Sequence, residues 1–162
     1  MDPIQRQIVE LLPRLRRLAR VLAGQPADAD DLVQLTVERA LVARGRWRPG
    51  TRLDSWMFRI MKNAWIDETR ARRRRGAVLA PEEDGEHVGD AGARLVEARL
   101  EAAEVERAIA RLPEEQRLAV ALVLVEGLSY KEAAEVLDVP QGTLTSRLGR
   151  GRLALLAELE GG

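Results

Sequence analysis

The chain has 162 residues, of which 46% are hydrophobic and 32% charged, a composition typical of a folded protein and not of a disordered tail. It has no cysteine, which excludes disulfides and thiolate chemistry. With a single histidine, His87, the sequence predicts neither a metal site nor a bound cofactor. No apolar run approaches the roughly 20 residues that cross a bilayer, and no signal-peptide core begins the chain. The sequence therefore predicts a cytoplasmic protein without membrane insertion.

The net charge of zero hides an asymmetry along the chain. Residues 1–76 contain 17 lysines and arginines against 9 acids, a net charge of +8, whereas residues 77–106 have a net charge of −7. A basic block beside an acidic one is typical of a protein that binds a polyanion. A solvated charged surface explains the composition alone equally well.

Helical spacing of apolar residues predicts three helices in the first half of the chain. Leucines and isoleucines recur every three or four residues until Gly24 and Pro26 end the first helix. A second helix follows, with Asp28 as its expected N-cap, and a third spans about Leu53–Arg74. Because three helices of this length can close a small core, we expect one domain over residues 1–76.

The periodicity stops in an acidic stretch rich in glycine, alanine and proline, which predicts a flexible linker over residues 77–94. Helical spacing resumes over residues 95–162. An apolar helix ending at Gly127 is followed by Ser129 and Glu132, which fit the capping box of a short helix. The sequence therefore predicts an all-α protein of two small helical domains joined by a flexible acidic linker.

The last two predicted helices, with the tight turn between them, have the pattern of a helix-turn-helix. Leu144, Leu148, Gly151 and Leu155 share the inner side of the last helix, while its outer side is small, hydroxylated or cationic and has no acid. Such a face can approach DNA closely and contact phosphates and bases. The alternative is an αα-hairpin with a solvated outer side. The outer side and its flanks hold Gly142, Thr143, Thr145, Ser146, Arg147, Gly149 and Arg150.

Four of the five aromatic residues fall between Trp47 and Trp65, interleaved with basic residues. Aromatic rings stack on unpaired bases and cations follow the backbone, so the combination favours single-stranded nucleic acid. The alternative is that Trp56, Phe58 and Trp65 are simply the core of a small bundle. On the second predicted helix, an acidic and partly apolar face favours a protein partner, although a solvated charged face explains it as well.

Together these segments resemble the extracytoplasmic-function sigma factors of bacterial RNA polymerase. Residues 28–41, DADDLVQLTVERAL, resemble the family's helix that docks on the clamp helices of the polymerase. Residues 53–75, LDSWMFRIMKNAWIDETRARRRR, resemble the segment that melts and reads the −10 promoter element. Residues 112–155 resemble the C-terminal domain that reads the −35 element. Leu35 and Thr145 depart from the acid and the base usual at their positions.

The resemblance implies a non-enzymatic subunit that binds core RNA polymerase and promoter DNA, is controlled by an anti-sigma protein, and takes no small-molecule substrate. It implies −10 contacts by Trp47, Arg48, Thr51, Ser55, Trp56, Arg59, Lys62 and Asn63. It implies −35 contacts by Lys131, Gly142, Thr143, Thr145, Ser146, Arg147 and Arg150. It implies polymerase contacts by Asp30, Asp31, Leu32, Gln34, Leu35 and Glu38.

Three alternatives compete with this interpretation. A free-standing helix-turn-helix regulator would bind duplex DNA without polymerase, usually as a dimer, and needs no basic and aromatic first domain. A helical adaptor that binds only protein leaves the acid-free face of the last helix unexplained. An enzyme is not supported, because the sequence contains no recognisable nucleophile–base pair, phosphate loop or metal cluster.

Overall fold

The structure of the protein is a computed structural model, which describes the backbone of residues 1–76 and 93–161 and the side chains of residues 1–76 and 101–161. Over these residues the fold is all-helical, which confirms the predicted fold class. The helices are α1 (Pro3–Ala23), α2 (Pro26–Val42), α3 (Leu53–Arg74), α4 (Ala93–Ala110), α5 (Glu114–Val120), α6 (Tyr130–Leu137) and α7 (Gln141–Gly161). The predicted linker, residues 77–94, lies almost entirely outside the described residues.

Local signals determine both ends of α1. Asp2 and Gln5 form a capping box, in which the Gln5 N–H donates to the Asp2 carboxylate and the Asp2 N–H donates to the Gln5 amide oxygen, each at 2.9 Å. At the other end, Gly24 adopts a φ of 81°, which a residue without a side chain takes at little cost. The predicted stop at this glycine is confirmed.

The start of α2 differs from the expectation. The helix begins at Pro26, whose fixed φ suits the first helical position, and Gln25 precedes it without a side-chain cap. Asp28 therefore lies inside the first turn and not at the N-cap. Its carboxylate accepts a hydrogen bond from Arg72 Nη2 at 2.8 Å, so it ties α2 to the end of α3.

The core of the first helical unit (α1–α3) lies where α1 and α2 cross α3. Leu15, Leu18 and Leu22 of α1 are fully buried. Met57, Phe58 and Met61 of α3 belong to the same buried cluster and are completely inaccessible to solvent. For Phe58, and for the nearly buried Trp65, the bundle-core interpretation is therefore correct.

The second helical unit (α4–α7) contains the predicted helix-turn-helix, formed by α6 and α7. Ser129 and Glu132 form the predicted capping box, with the Glu132 N–H donating to Ser129 Oγ at 3.1 Å. Asp138, with a φ of 56°, turns the chain out of α6 in the left-handed conformation. The helix α7 crosses α5 at Gly151, where a Cβ atom would lie 2.6 Å from Val120 Cγ2. This close approach requires glycine.

The helix predicted to run up to Gly127 changes its winding part of the way along. After α5 the chain continues as a π-helical turn, Ala121–Val125, and the Glu126 N–H donates to the carbonyl of Ala121 at 3.0 Å. A widened turn of this kind shifts the residues that follow it around the helix axis. The shift leaves Glu126 buried and facing α1.

The two helical units pack against each other. The helix α1 lies against α4 and the π-helical turn, and α3 lies against α6. Side chains that the sequence assigns to different functions therefore meet across this boundary. The periodicity of each segment specifies which of its sides is apolar but not which other segment covers it.

Candidate nucleic-acid and polymerase surfaces

The outer side of α7 is open to solvent. Gly142, Thr145, Ser146, Gly149 and Arg150 are exposed, while Leu144, Leu148 and Gly151 on the opposite side are buried. Thr143, predicted on the outer side, and Arg147, predicted at its flank, are half-buried. Arg147 approaches Glu115 of α5 at 3.5 Å, so its guanidinium is partly neutralised. Among the described residues, Arg150 makes no ion pair.

Lys131 has different surroundings from the other −35 candidates. It is an exposed residue of α6 and lines a groove of about 460 Å³ together with Arg59 of α3 and with Glu135 and Asp138 of α6. The groove runs between the two helical units. Lys131 is thus positioned beside the −10 candidates as well as on the helix-turn-helix.

The loop between α2 and α3 carries the aromatic part of the −10 candidates. Trp47 and Trp56 are half-buried, and Arg48 and Thr51 are exposed. The Thr51 hydroxyl donates to the Arg48 carbonyl at 2.6 Å, which closes the loop. The indole N–H of Trp47 and the hydroxyl of Ser55 are buried and have no hydrogen-bond partner among the described residues. Buried polar atoms without partners are unusual in a folded protein.

The basic part of the −10 candidates faces α6. Arg59 donates to the backbone carbonyl of Glu135, and Arg52 forms an ion pair with Glu132. Lys62 is half-buried, and Asn63 is exposed. Desolvation lowers the pKa of Lys62 and the positive charge of Arg59 adds to the shift, while Asp138 acts in the opposite direction. The second helical unit therefore covers part of the basic side of α3.

The acidic side of α2 is exposed, and it presents Asp30, Asp31, Gln34 and Glu38 to solvent. Gln34 Nε2 donates to Glu38 at 3.2 Å one turn along the helix. The two apolar candidates, Leu32 and Leu35, are less exposed than these four polar residues. Leu32 is 6% exposed and belongs to the core, so it supports the surface from beneath. Leu35 is half-buried in a cavity of about 500 Å³ that Asp31, Trp65 and Arg117 also line.

Two charged residues that no sequence pattern singled out bind the units together. Glu126 has a side-chain exposure of 0%, and it accepts hydrogen bonds from Arg14 at 3.2 Å and from Arg17 at 2.9 and 3.0 Å.

Arg117 of α5 donates to the Leu22 carbonyl at 2.5 Å. Its guanidinium carbon also lies 5.2 Å from the centre of the Trp65 ring. Desolvation lowers the pKa of Arg117. For Glu126 the one available signal is its position directly after the apolar run 119–125, and Arg117 has no such signal.

No group of His, Asp and Glu side chains that could hold a metal ion occurs in the part of the chain that the structure describes. No helix formed by residues 1–76 or 93–161 is long and apolar enough to span a membrane.

Comparison with known families matches both helical units. Residues 8–75 match sigma-70 region 2, and residues 102–155 match sigma-70 region 4. The protein is therefore built from the two promoter-recognition regions of sigma factors, which are transcription initiation factors and not enzymes in themselves.

Individual relatives identify the branch of that class. The chain is 36% identical to the ECF RNA polymerase sigma factor EcfG of Rhodopseudomonas palustris, over 98% of this chain and 86% of the relative. It is 40% identical to the ECF sigma factor SigM of Mycobacterium tuberculosis, over 91% of this chain and 72% of the relative. The chain belongs to the extracytoplasmic-function sigma factors of RNA polymerase.

Solved structures agree with this assignment over both units. The sigma factor RpoE of Bartonella quintana, in complex with the anti-sigma factor NepR, superposes with a TM-score of 0.84 and 28% identity, covering 99% of this chain and 98% of that one. CnrH in complex with the cytosolic domain of CnrY gives a TM-score of 0.67 and 29% identity, covering 97% of this chain and 90% of that one.

Proposed function

We propose that this sigma factor divides its contacts among three surfaces while core RNA polymerase holds both helical units. The outer side of α7 reads the −35 element, the loop before α3 and the basic side of α3 bind the −10 element, and the acidic side of α2 docks on the polymerase clamp. The protein catalyses no reaction itself and acts in the cytoplasm, where the polymerase is. The observation that carries the proposal is the exposed, acid-free outer side of α7.

The −35 assignment is supported by the shape and charge of α7. Exposed Gly142 and Gly149 have no neighbouring atom within 4 Å of where a Cβ would lie, so they leave the helix thin on its outer side. A thin helix enters the major groove closely, and Arg150, at the centre of this side, has the geometry to donate two hydrogen bonds to a guanine. The hydroxyls of Thr145 and Ser146 are placed to contact phosphates or bases on either side.

The −10 assignment is supported by the loop before α3. Trp47 and Trp56 offer ring surface against which an unpaired base can stack, and Arg48 is exposed beside them. The unpartnered indole N–H of Trp47 and hydroxyl of Ser55 are available to a base that enters the loop. Arg59, Lys62 and Asn63 continue the surface along α3.

The polymerase assignment is supported by the exposed carboxylates of α2. Asp30, Asp31 and Glu38 present like charge to solvent, and Gln34 adds an amide between them. A surface of this kind binds a basic partner, because complementary charge steers and orients the encounter. Leu35 adds a half-buried apolar contact at its edge.

An anti-sigma protein is a further partner that we propose for this chain. Both structural relatives described above are sigma factors in complex with anti-sigma proteins, and the likeness to RpoE covers both helical units together. The packing of the two units in this chain therefore resembles that of a sigma factor held by its anti-sigma protein.

Run-off transcription tests the function as a whole. The purified protein is added to bacterial core RNA polymerase and a pool of linear templates whose −35 and −10 positions are randomised, and the transcripts are sequenced. We expect transcripts from a restricted set of templates, absent when core polymerase acts alone. If no template is selected, while the protein without polymerase binds one duplex tightly in a gel shift at physiological salt, the protein is instead a free-standing helix-turn-helix regulator.

A further inference from the structure

The cavity of about 500 Å³ beside Leu35 lies on the boundary between the two helical units. Its lining comes from α1, α2 and α3 of the first unit and from Pro113 and α5 of the second. Most of the apolar lining belongs to the first unit: Leu22, Ala23, Leu32, Leu35, Ala64 and Trp65. Ligand-binding pockets have volumes of about 300–1,000 Å³ and occur preferentially at boundaries of this kind. The cavity therefore has the size and the place of a small-molecule site.

Most charged side chains of the lining neutralise one another. Asp28 accepts a hydrogen bond from Arg72 at 2.8 Å, and Arg72 also approaches Glu68 at 3.4 Å. Arg73 pairs with Glu114 at 2.5 Å. Each of these five side chains has a partner of opposite charge, so none of them requires a charged ligand.

Arg117 is the charged group of the lining that its surroundings compensate least. Asp31 also lacks an ion pair among the described residues, but it is exposed, so water solvates its carboxylate. Arg117 is half-buried, and its hydrogen bonds go to uncharged carbonyl oxygens. Desolvation lowers the pKa of Arg117, although the charge of Glu114 acts in the opposite direction. A cation taken out of water is stabilised when an anion pairs with it.

The guanidinium of Arg117 has donors left for such an anion. It donates to the Leu112 carbonyl from Nε at 3.1 Å and from Nη2 at 2.9 Å, and to the Leu22 carbonyl from Nη1 at 2.5 Å. Because each terminal nitrogen of a guanidinium carries two N–H groups, one N–H of Nη1 and one of Nη2 have no acceptor among the described residues. A pair of N–H groups on the two terminal nitrogens matches the two oxygens of a carboxylate.

We propose that this cavity binds a small amphipathic carboxylate, whose anionic group pairs with Arg117 and whose apolar body lies against Leu32, Leu35 and Trp65. The carboxylate supplies the charge that the lining does not offer to Arg117, and the apolar lining favours a hydrocarbon body. A molecule in this position contacts both helical units. The inference goes beyond the proposed transcription function and does not depend on the −10, −35 or clamp assignments.

Isothermal titration calorimetry with three probes tests the sign of the ligand's charge. Octanoate, octanol and octyltrimethylammonium share one alkyl chain, and their head groups are negative, neutral and positive. We expect saturable binding of octanoate, binding of octanol that is weaker by at least about tenfold, and no binding of octyltrimethylammonium. If the ammonium probe binds as tightly as octanoate, the carboxylates of the lining choose the ligand and the proposal is wrong. It is equally wrong if octanoate shows no saturable binding.

Arg117→Met tests the proposed partner of the carboxylate, because it keeps an unbranched apolar stem and removes the guanidinium. We expect the affinity for octanoate to fall at least about tenfold, and the affinity for octanol to stay within about threefold. The matched control is Arg111→Met, which removes an exposed guanidinium that pairs with Glu158 outside the cavity. It should leave the affinity for octanoate within about twofold. Equal affinities in the two variants would overturn the proposal.

A second variant leaves Arg117 in place, since the loss of its bond to the Leu22 carbonyl can itself destabilise the protein. Ala23→Leu fills the cavity from the end of α1 without a change of charge. Ala157→Leu adds the same atoms at an exposed position of α7. We expect the first change to weaken octanoate binding at least about fivefold and the second to leave it within about twofold. Equal affinities would place the bound octanoate elsewhere and overturn the proposal, whatever the result for Arg117→Met.

Thermal unfolding checks that octanoate binds the folded protein. A molecule that binds only the folded state raises the midpoint of unfolding by mass action. We expect octanoate to raise the midpoint of the wild type and of Ala157→Leu, and to leave that of Ala23→Leu nearly unchanged. Equal rises in all three proteins would contradict binding in this cavity. The run-off transcription described above contains no octanoate, so failure here leaves the proposed function intact.

Discussion

The two contacts between the helical units differ in how their charges are surrounded. In the inner contact, Glu126 with Arg14 and Arg17, the carboxylate is fully buried and accepts from both guanidiniums. In the outer contact, Glu132 of α6 with Arg52, the arginine remains 53% exposed and the glutamate 25% exposed. Exposed ion pairs contribute little, about 0–1 kcal/mol, because water competes for both partners. A buried charge that loses its partners is costly.

The comparison assigns different roles to the two contacts. The inner contact holds the units together from within, whereas the outer contact lies at the solvent-exposed rim of the same boundary. Water reaches both partners of the outer ion pair but does not reach the carboxylate of Glu126. The proposed −35 surface on α7 takes part in neither contact and stays exposed.

The largest expected effect comes from removing the inner contact. Glu126→Ala should destabilise the closed protein by about 2–3 kcal/mol, below the usual range for a broken buried pair because both arginines can regain water. Urea unfolding followed by circular dichroism measures the change. Glu106→Ala is the matched control, since Glu106 also pairs with an α1 arginine, Arg20, but in an exposed position. Equal losses in the two variants would show that burial does not separate the contacts.

A substitution inside the second unit distinguishes packing within that unit from packing between the units. Gly151→Ala forces a Cβ to within 2.6 Å of Val120 Cγ2 and 3.3 Å of the Gln116 carbonyl, so we expect a loss of about 1–3 kcal/mol. Gly149→Ala, on the open side of the same helix, meets nothing within 4 Å and should gain about 0.5–1 kcal/mol from helix propensity. Thermal unfolding compares them. A loss at both positions would contradict the close crossing.

For the proposed −35 surface we expect an effect on DNA binding and not on stability. Arg150→Ala should cost about 1–3 kcal/mol of promoter affinity in the polymerase complex if the side chain reads a base. Arg152 is also exposed on α7 but projects to a different side, two residues along the helix. Arg152→Ala should therefore leave affinity within about twofold. If Arg150→Ala weakens core-polymerase binding as much as promoter binding, the residue supports the fold and does not read DNA.

The acidic side of α2 is expected to affect the association with the polymerase. Changing Asp31 and Gln34 to Lys removes one negative charge and adds two positive ones on the side that we propose faces a basic clamp, so binding should weaken by about 1 kcal/mol or more at low salt. Helical content should be unchanged, because both side chains are exposed. A pull-down with the clamp fragment measures the loss. Glu104→Lys, on the exposed surface of α4, should have no effect, and equal effects would mean that overall charge explains the result.

The smallest expected effect is a pH dependence of the free energy of unfolding that comes from Asp54, which pairs with Arg52 of the outer contact. Burial raises the pKa of Asp54, but hydrogen bonds from Arg52, from Arg14 and from the Ser55 N–H outweigh it, and the pKa is lowered. A lowered pKa contributes stability that is present above the unfolded value, near 3.8, and is lost as pH falls through the folded value.

The corresponding test uses Asp54→Asn, which removes this contribution. The stability difference between wild type and variant in urea should be constant near neutral pH and should shrink below about pH 4. A difference that is the same at pH 3 and at pH 6 would contradict the assignment of this carboxylate to the pair of arginines.

Several elements were predictable because their signals are local. The limits of the third helix, Leu53–Arg74, coincide with the predicted ones, and the capping box at Ser129 and Glu132 is present. On the predicted inner side of α7, Leu144, Leu148 and Gly151 are buried and Leu155 is half-buried. Each depends on residues within a few positions of one another along the chain. The N-cap predicted at Asp28 was wrong because Pro26 begins the helix two residues earlier.

The sequence by itself determined the helices, the acid-free side of α7 and the order of segments that resembles a sigma factor. These follow from periodicity, capping and composition, which act over one or two turns. Only the tertiary structure decided that Glu126 is buried against α1, that Arg117 reaches Trp65, and that Glu132 of α6 pairs with Arg52. These contacts join residues about 50 to 110 positions apart, and no local pattern specifies which apolar or charged side meets which.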